Sequence, residues 1–170
     1  MRKIMLLITI LLVSAISLTA QTTPVFTAST EAVAFHYNNA WNVGTHVSES
    51  FDFYDTASKN LHVYVVGHEY LPGDGTFGSY LGGAHVDYNP AKWLAKTNVP
   101  ANTLLIGGDV AIGETTFTAG NKFTTYVGGT FKYNFSNSVS WSTLNAGVLM
   151  GNGFKYPVIS TGLIFKIGSK

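Results

Sequence analysis

The chain has no cysteine, so no disulfide supports whatever core its 170 residues form. Its one arginine is Arg2, and since bidentate recognition of phosphate favours guanidinium, a dedicated phosphate clamp is disfavoured. Charge is scarce altogether: Asp, Glu, Lys and Arg make up 11% of the chain, against about 25% in ordinary soluble domains. Beyond residue 20 there are eight lysines and nine acids, a balance near −1 that leaves no electrostatic footprint for nucleic acid. The glycine pairs Gly82-Gly83 and Gly107-Gly108 fit neither G-x-x-x-x-G-K-[ST] nor a G-x-G-x-x-G that opens a helix, so no phosphate loop is read from them. Nor does any stretch after residue 20 approach the roughly 20 apolar residues of a membrane helix. If this chain meets lipid, it must do so as a closed sheet.

The first twenty residues are organised differently from the rest. Arg2 and Lys3 give a basic start, Ile4 to Val13 an almost unbroken apolar run, and Ser17-Leu18-Thr19-Ala20 a small-residue exit. That order is the pattern of a cleaved secretory signal peptide over 1–20, leaving 21–170 as one domain.

What the remaining chain has in quantity is aromatics, at 14%, and 18 glycines, set in alternation. From Phe123 to Phe135, the residues Phe123, Thr125, Val127, Gly129, Phe131, Tyr133 and Phe135 share one face, and Thr124, Tyr126, Gly128, Thr130, Lys132 and Asn134 the other. Period two with an apolar and a mixed face is a strand between two environments. Eight such runs occur, at about Val25–His36, Val43–Tyr54, Leu61–Leu71, Thr76–Tyr88, Thr103–Thr115, Lys122–Asn134, Ser138–Met150 and Tyr156–Ile167. They exceed the ~5–6 residues of a globular strand and match the ~9–11 that cross a membrane tilted. Turn residues such as Asn38-Asn39, Pro72-Gly73-Asp74-Gly75 and Gly151-Asn152-Gly153 join neighbours, which predicts an all-β, eight-stranded antiparallel up-and-down transmembrane β-barrel. The connection from Asn89 to Asn102 predicts one short helix between strands 4 and 5, with Asn89 as N-cap, Pro90 in the first turn and Trp93 on its apolar side.

On strand count, alternation and the leader, residues 21–170 resemble the small eight-stranded outer-membrane barrels of the OmpA and OmpX type. The resemblance implies an outer-membrane location, with both termini in the periplasm and the turns near Asn38, Pro72, Thr118 and Gly153 outside. It implies outer-membrane lipid and the barrel-assembly machinery as partners, and a monomer. Two features depart from the pattern: the longest connection falls on the periplasmic side, and Phe165 is followed by five more residues rather than ending the chain. Aromatic girdles at both membrane interfaces are expected: Phe53, Tyr88, Trp93, Tyr133 and Phe165, with Phe51 and Phe131, at the periplasmic rim, and Trp41 at the outer rim with Phe77, Phe117, Phe123 and Phe154.

The strand faces place Glu31, Asp52, Asp87, Asp109, Lys132 and Lys166 inside, where charges must pair; a polar lumen network that blocks free diffusion is the expectation. Two sharper readings concern His46-Val47-Ser48. His46 and Ser48 share a face, so a serine–histidine pairing is geometrically open. Lipid A deacylases among eight-stranded barrels use such residues, but late in the chain, whereas here the stretch lies on the second strand. Glu49 is the misfit: alternation sends it outward unless a bulge re-aims it. For metal, His62 and His68 share a face but stand six residues apart, about 20 Å along a strand, leaving only His85 and Asp87 as a local pair. The reading is therefore a structural or envelope-integrity barrel with no enzyme activity, no metal and no cofactor. A lipid hydrolase centred on His46 and Ser48, or a soluble exported ligand-binding barrel, stand as the alternatives.

Overall fold

The computed structural model describes residues 26–56, 61–90, 103–136 and 138–167, with the side chains of 52–56 excluded. It forms one closed antiparallel barrel in the order β1-β2-β3-β4-β5-β6-β7-β8, each strand bonded to its sequence neighbours and β8 to β1. The strands are β1 Phe26–Tyr37, β2 Ala40–Thr56, β3 Leu61–Pro72, β4 Phe77–Tyr88, β5 Leu104–Phe117, β6 Gly120–Asn134, β7 Val139–Gly151 and β8 Phe154–Ile167. Their lengths run from 12 to 17 residues, so all eight can cross a bilayer at a tilt. The expected helix, with Trp93, and the leader over 1–20 lie outside the described residues.

The turns follow from local chemistry. Tyr37 pairs with Ala40 across Asn38 and Asn39, whose φ angles are 52° and 59°. Two successive left-handed residues make the tight hairpin turn that matches strand twist, and asparagine tolerates that conformation better than most. The β3–β4 turn closes through Gly75 N donating to Pro72 O. There Asp74 accepts from the Thr76 amide at 3.0 Å and from the Tyr37 hydroxyl at 2.5 Å. The Thr76 side chain first, the Tyr37 hydroxyl second and the Thr76 amide third hold the Asp74 carboxyl below the usual carboxylate range.

Register is regular except at two places. One lies on β2 between Asp52 and Tyr54. The other is on β7: Phe131 pairs with Leu144 but Lys132 with Ser142, and Ser142 pairs with Gly162 while Asn145 pairs with Ser160. Thr143 is thus an extra residue in β7, a bulge, and its hydroxyl donates to Phe131 O at 2.7 Å. Glu49 sits in unbroken register opposite Ala28 and Gly67, so no bulge re-aims it and it points outward, exposed.

The outer surface is apolar and uneven. Exposed large apolar side chains crowd β5 to β8, among them Ile112, Phe123, Phe131, Leu144, Ile159 and Ile167. On β1 the outward positions Ala28, Thr30, Ala32 and Ala34 are small. The interior is packed, as expected of an eight-stranded wall. Toward the hairpin-turn end at Asn38, Val33, Phe35, Tyr37, Tyr70, Phe77 and Leu81 meet Ala111, Tyr126, Leu149 and Val158, with Phe117, Phe154 and Tyr156 against them. Phe77 sits edge-on to Phe35 at 5.4 Å and to Tyr37 at 5.5 Å.

This corrects the expectation for the outer rim. Phe77, Phe117 and Phe154 do not join Trp41 and Phe123 on the outside; they fill the lumen. The reason is strand parity: Phe77 is in step with the inward Asp87, Phe117 with the inward Asp109, and Phe154 with the inward Ser160.

Candidate functional site

Below the aromatic plug, the lumen carries a polar chain built from six strands, β1 to β6. Each member sits on an inward parity position, which is why no loop is needed to deliver it. On β1, Glu31 is 5% exposed; it accepts a hydrogen bond from Ser160 of β8 and lies 3.3 Å from Nδ1 of His46 on β2. Gly162, paired directly with Glu31, has no Cβ because one would meet Thr30 O and the Glu31 side chain. The His46 ring stacks on Tyr70 at 4.2 Å, nearly parallel at 7°, and its Nε2 is hydrogen-bonded to Nδ1 of His68 on β3 at 3.0 Å. Nε2 of His68 then faces Oδ1 of Asp109 on β5 at 3.8 Å.

Asp109 continues the chain. Its Oδ1 lies 2.5 Å from Nδ1 of His85 on β4, and Nε2 of His85 lies 2.7 Å from Asp87. Lys132 of β6 closes the far end, 2.9 Å from Oδ2 of Asp87 and 2.6 Å from Nε2 of His85. Buried carboxylates would be costly alone; Asp87 and Asp109 are each compensated by a neighbour. Toward the end that carries the termini, a small cavity of about 20 Å³ is bounded by Asp87, Lys132, Lys166, Thr27, Ser50 and Asn134. A volume of this size holds about one water.

Of the residues the sequence placed inside, Glu31, Asp87, Asp109 and Lys132 meet in this chain, and Lys166 lines the cavity beneath it. The Asp52 side chain lies outside the described residues. His46 and Ser48 share the inward face but bond different partners: Ser48 Oγ is 2.7 Å from Ser29 Oγ, while His46 Nε2 is engaged by His68. Among the described residues, no group of three His, Asp or Glu side chains is arranged to hold a metal ion. On the outer wall, Trp41, Tyr133 and Phe165 are exposed and Tyr88 half-exposed, while the side chain of Phe53 is outside the described set. Trp141, unforeseen, stacks on Phe135 at 6.5 Å and donates to Thr161 at 3.0 Å.

The aromatic plug was also unforeseen, although parity carries it: Phe35 and Tyr37 follow Glu31 by even steps, as Tyr70 follows His68. Tyr126 needs a second condition, open space, and Gly128 and Gly147 provide it, since a Cβ at either would strike the Tyr126 ring. Its hydroxyl donates to Asn145 at 2.9 Å.

No protein-family model and no curated protein matches this chain. Solved structures do. The Neisserial surface protein A (NspA) aligns over 85% of this chain and 97% of its own, at 13% identity and TM-score 0.54. The N-terminal β-barrel domain of Pseudomonas aeruginosa OprF aligns over 83% and 97%, at 12% identity and TM-score 0.47. Ail, the attachment invasion locus protein of Yersinia pestis, aligns over 85% and 97%, at 10% identity and TM-score 0.45. With the closed eight-stranded sheet, the likeness to NspA shows the fold: this chain is a small eight-stranded barrel of the OmpA and OmpX architecture.

Proposed function

We propose that this protein is an integral outer-membrane barrel, exported by a cleaved signal peptide over 1–20, with 21–170 serving the envelope structurally behind a lumen closed to solutes. The observation that carries this reading is the inversion of surfaces: large apolar side chains face out while a charged chain and an aromatic plug fill the inside. A soluble barrel places polar residues outward, and a pore leaves water inside. Here the outward face suits lipid, and among the described residues the interior is filled by side chains around a cavity of about 20 Å³ near one end, room for about one water.

Outer-membrane lipid is then its main partner, the barrel-assembly machinery inserts it, and it works as a monomer with its turns near Asn38, Pro72, Thr118 and Gly153 on the outside. No catalytic role falls to His46 or Ser48, because each is bonded into the lumen wall. Membrane fractionation with heat-modifiable gel migration tests the first half; a protein released without detergent sinks it. Purified protein in planar bilayers tests the second: a large, stable single-channel conductance contradicts a closed lumen.

A further inference from the structure

The protons of the chain Glu31–His46–His68–Asp109 can be counted. Its four ring nitrogens have fixed tasks: Nδ1 of His46 faces the Glu31 carboxylate, Nε2 of His46 and Nδ1 of His68 share one hydrogen bond, and Nε2 of His68 faces the Asp109 carboxylate. With Glu31 and Asp109 ionised, a ring nitrogen that faces either carboxylate is stable only as N–H, because a lone pair there meets an anion. A bond between two ring nitrogens needs one N–H and one lone pair. The tasks therefore require three N–H groups, and two neutral imidazoles bring two. Whichever tautomers a neutral pair adopts, one lone pair is left against a carboxylate.

The surroundings do not make up the deficit. Tyr70 on β3 presents its ring face to His46. Tyr126 on β6 donates its hydroxyl to Asn145, and Ser160 on β8 already donates to Glu31. On β4, both nitrogens of His85 are engaged by Asp109, Asp87 and Lys132. Nδ1 of His46 and Nε2 of His68 are fully buried and meet no aligned hydrogen-bond partner. These are the two nitrogens at which the deficit must fall.

We propose that the His46–His68 pair is a buried proton-binding site, holding one proton beyond two neutral imidazoles between Glu31 and Asp109. The charge resides on one ring at a time. When His46 is the imidazolium, its Nε2–H donates to His68; moving that proton across the 3.0 Å bond makes His68 the imidazolium. Each N–H facing a carboxylate stays in place, so the exchange balances with no co-reactant. The site also gives buried Glu31 a cationic partner, which its hydroxyl neighbour Ser160 does not supply.

The test is histidine ¹⁵N NMR on the full chain in detergent or bilayers at neutral pH, which distinguishes protonated from bare ring nitrogens, with signals assigned by His46→Gln and His68→Gln. Three of the pair's four nitrogens should be protonated. In Glu31→Gln the amide can donate to Nδ1 of His46, so the count should fall to two. A wild-type count of two, or a count unchanged in Glu31→Gln, overturns the proposal. Should Glu31→Gln not fold, the wild-type count decides alone.

Discussion

At the residue scale, the interior is sensitive where a side chain is wholly enclosed. Phe35 has no exposed surface and packs on Phe77 and Tyr70. Phe35→Ala should lower the unfolding free energy by roughly 3–5 kcal/mol, the range for an aromatic truncated in a packed core, read as a shift in urea midpoint for detergent-folded protein. Asp74 behaves differently because it lies in the turn. Its carboxyl is held below the usual range in the folded state, so its bonds contribute above the unfolded value, near 3.9, and that contribution is lost as pH falls through the folded value. Tyr37→Phe removes the second of its partners, so the loss of stability as pH falls below the unfolded carboxylate value should become shallower without vanishing, since Thr76 remains. An unchanged acid limb would show that the Tyr37–Asp74 bond contributes nothing. At this scale much was readable: Glu31, Asp87, Asp109 and Lys132 fall inside by parity alone. The same parity applied to Phe77, Phe117 and Phe154 places them inside too, where the girdle pattern suggested otherwise.

At the scale of the element, the strands are robust and their irregularities are specific. The bulge at Thr143 adds one residue without changing which faces its neighbours take: Ser142 and Asn145 point in, and Leu144 points out. Deleting Thr143 should therefore restore plain alternation and leave a barrel that still shows heat-modifiable migration. Deleting Gly128 from the regular stretch of β6 should abolish it, because a one-residue slip sends an entire half-strand to the wrong face. Equal folding of both deletions would show that register is not set by the faces. The bulge had no signature in the sequence: Ser140-Trp141-Ser142-Thr143-Leu144 reads as alternation up to the point where one extra polar residue is absorbed. Asn38-Asn39, by contrast, was legible as a turn, since two consecutive asparagines tolerate the positive φ that the hairpin requires.

At the scale of the whole molecule, inside and outside exchange their usual roles. Ile159 is exposed on β8, between Ala34 of β1 and Ala146 of β7. In a bilayer, Ile159→Arg should destabilise the fold by roughly 2–4 kcal/mol if it sits near the midplane. Glu49→Gln should instead stabilise it, because an outward carboxylate beside Ala28 and Gly67 gains nothing from lipid. Unfolding in lipid vesicles measures both, and opposite signs are the expected result. A neutral Ile159→Arg would mean that this face does not meet lipid.

The sequence by itself determined the strand number, the faces and the closed antiparallel sheet, because a period of two over eight long runs leaves every side chain only two directions in which to point. It also put Glu31, Asp87, Asp109 and Lys132 on inward faces. Only the tertiary structure decided which inward residues meet. His46 and His68 are neighbours through β2–β3 pairing, but Asp109 on β5 reaches His68 on β3 over the intervening β4. That contact exists because the wall curves into a narrow cylinder, and curvature is a property of closure that no local pattern of residues records.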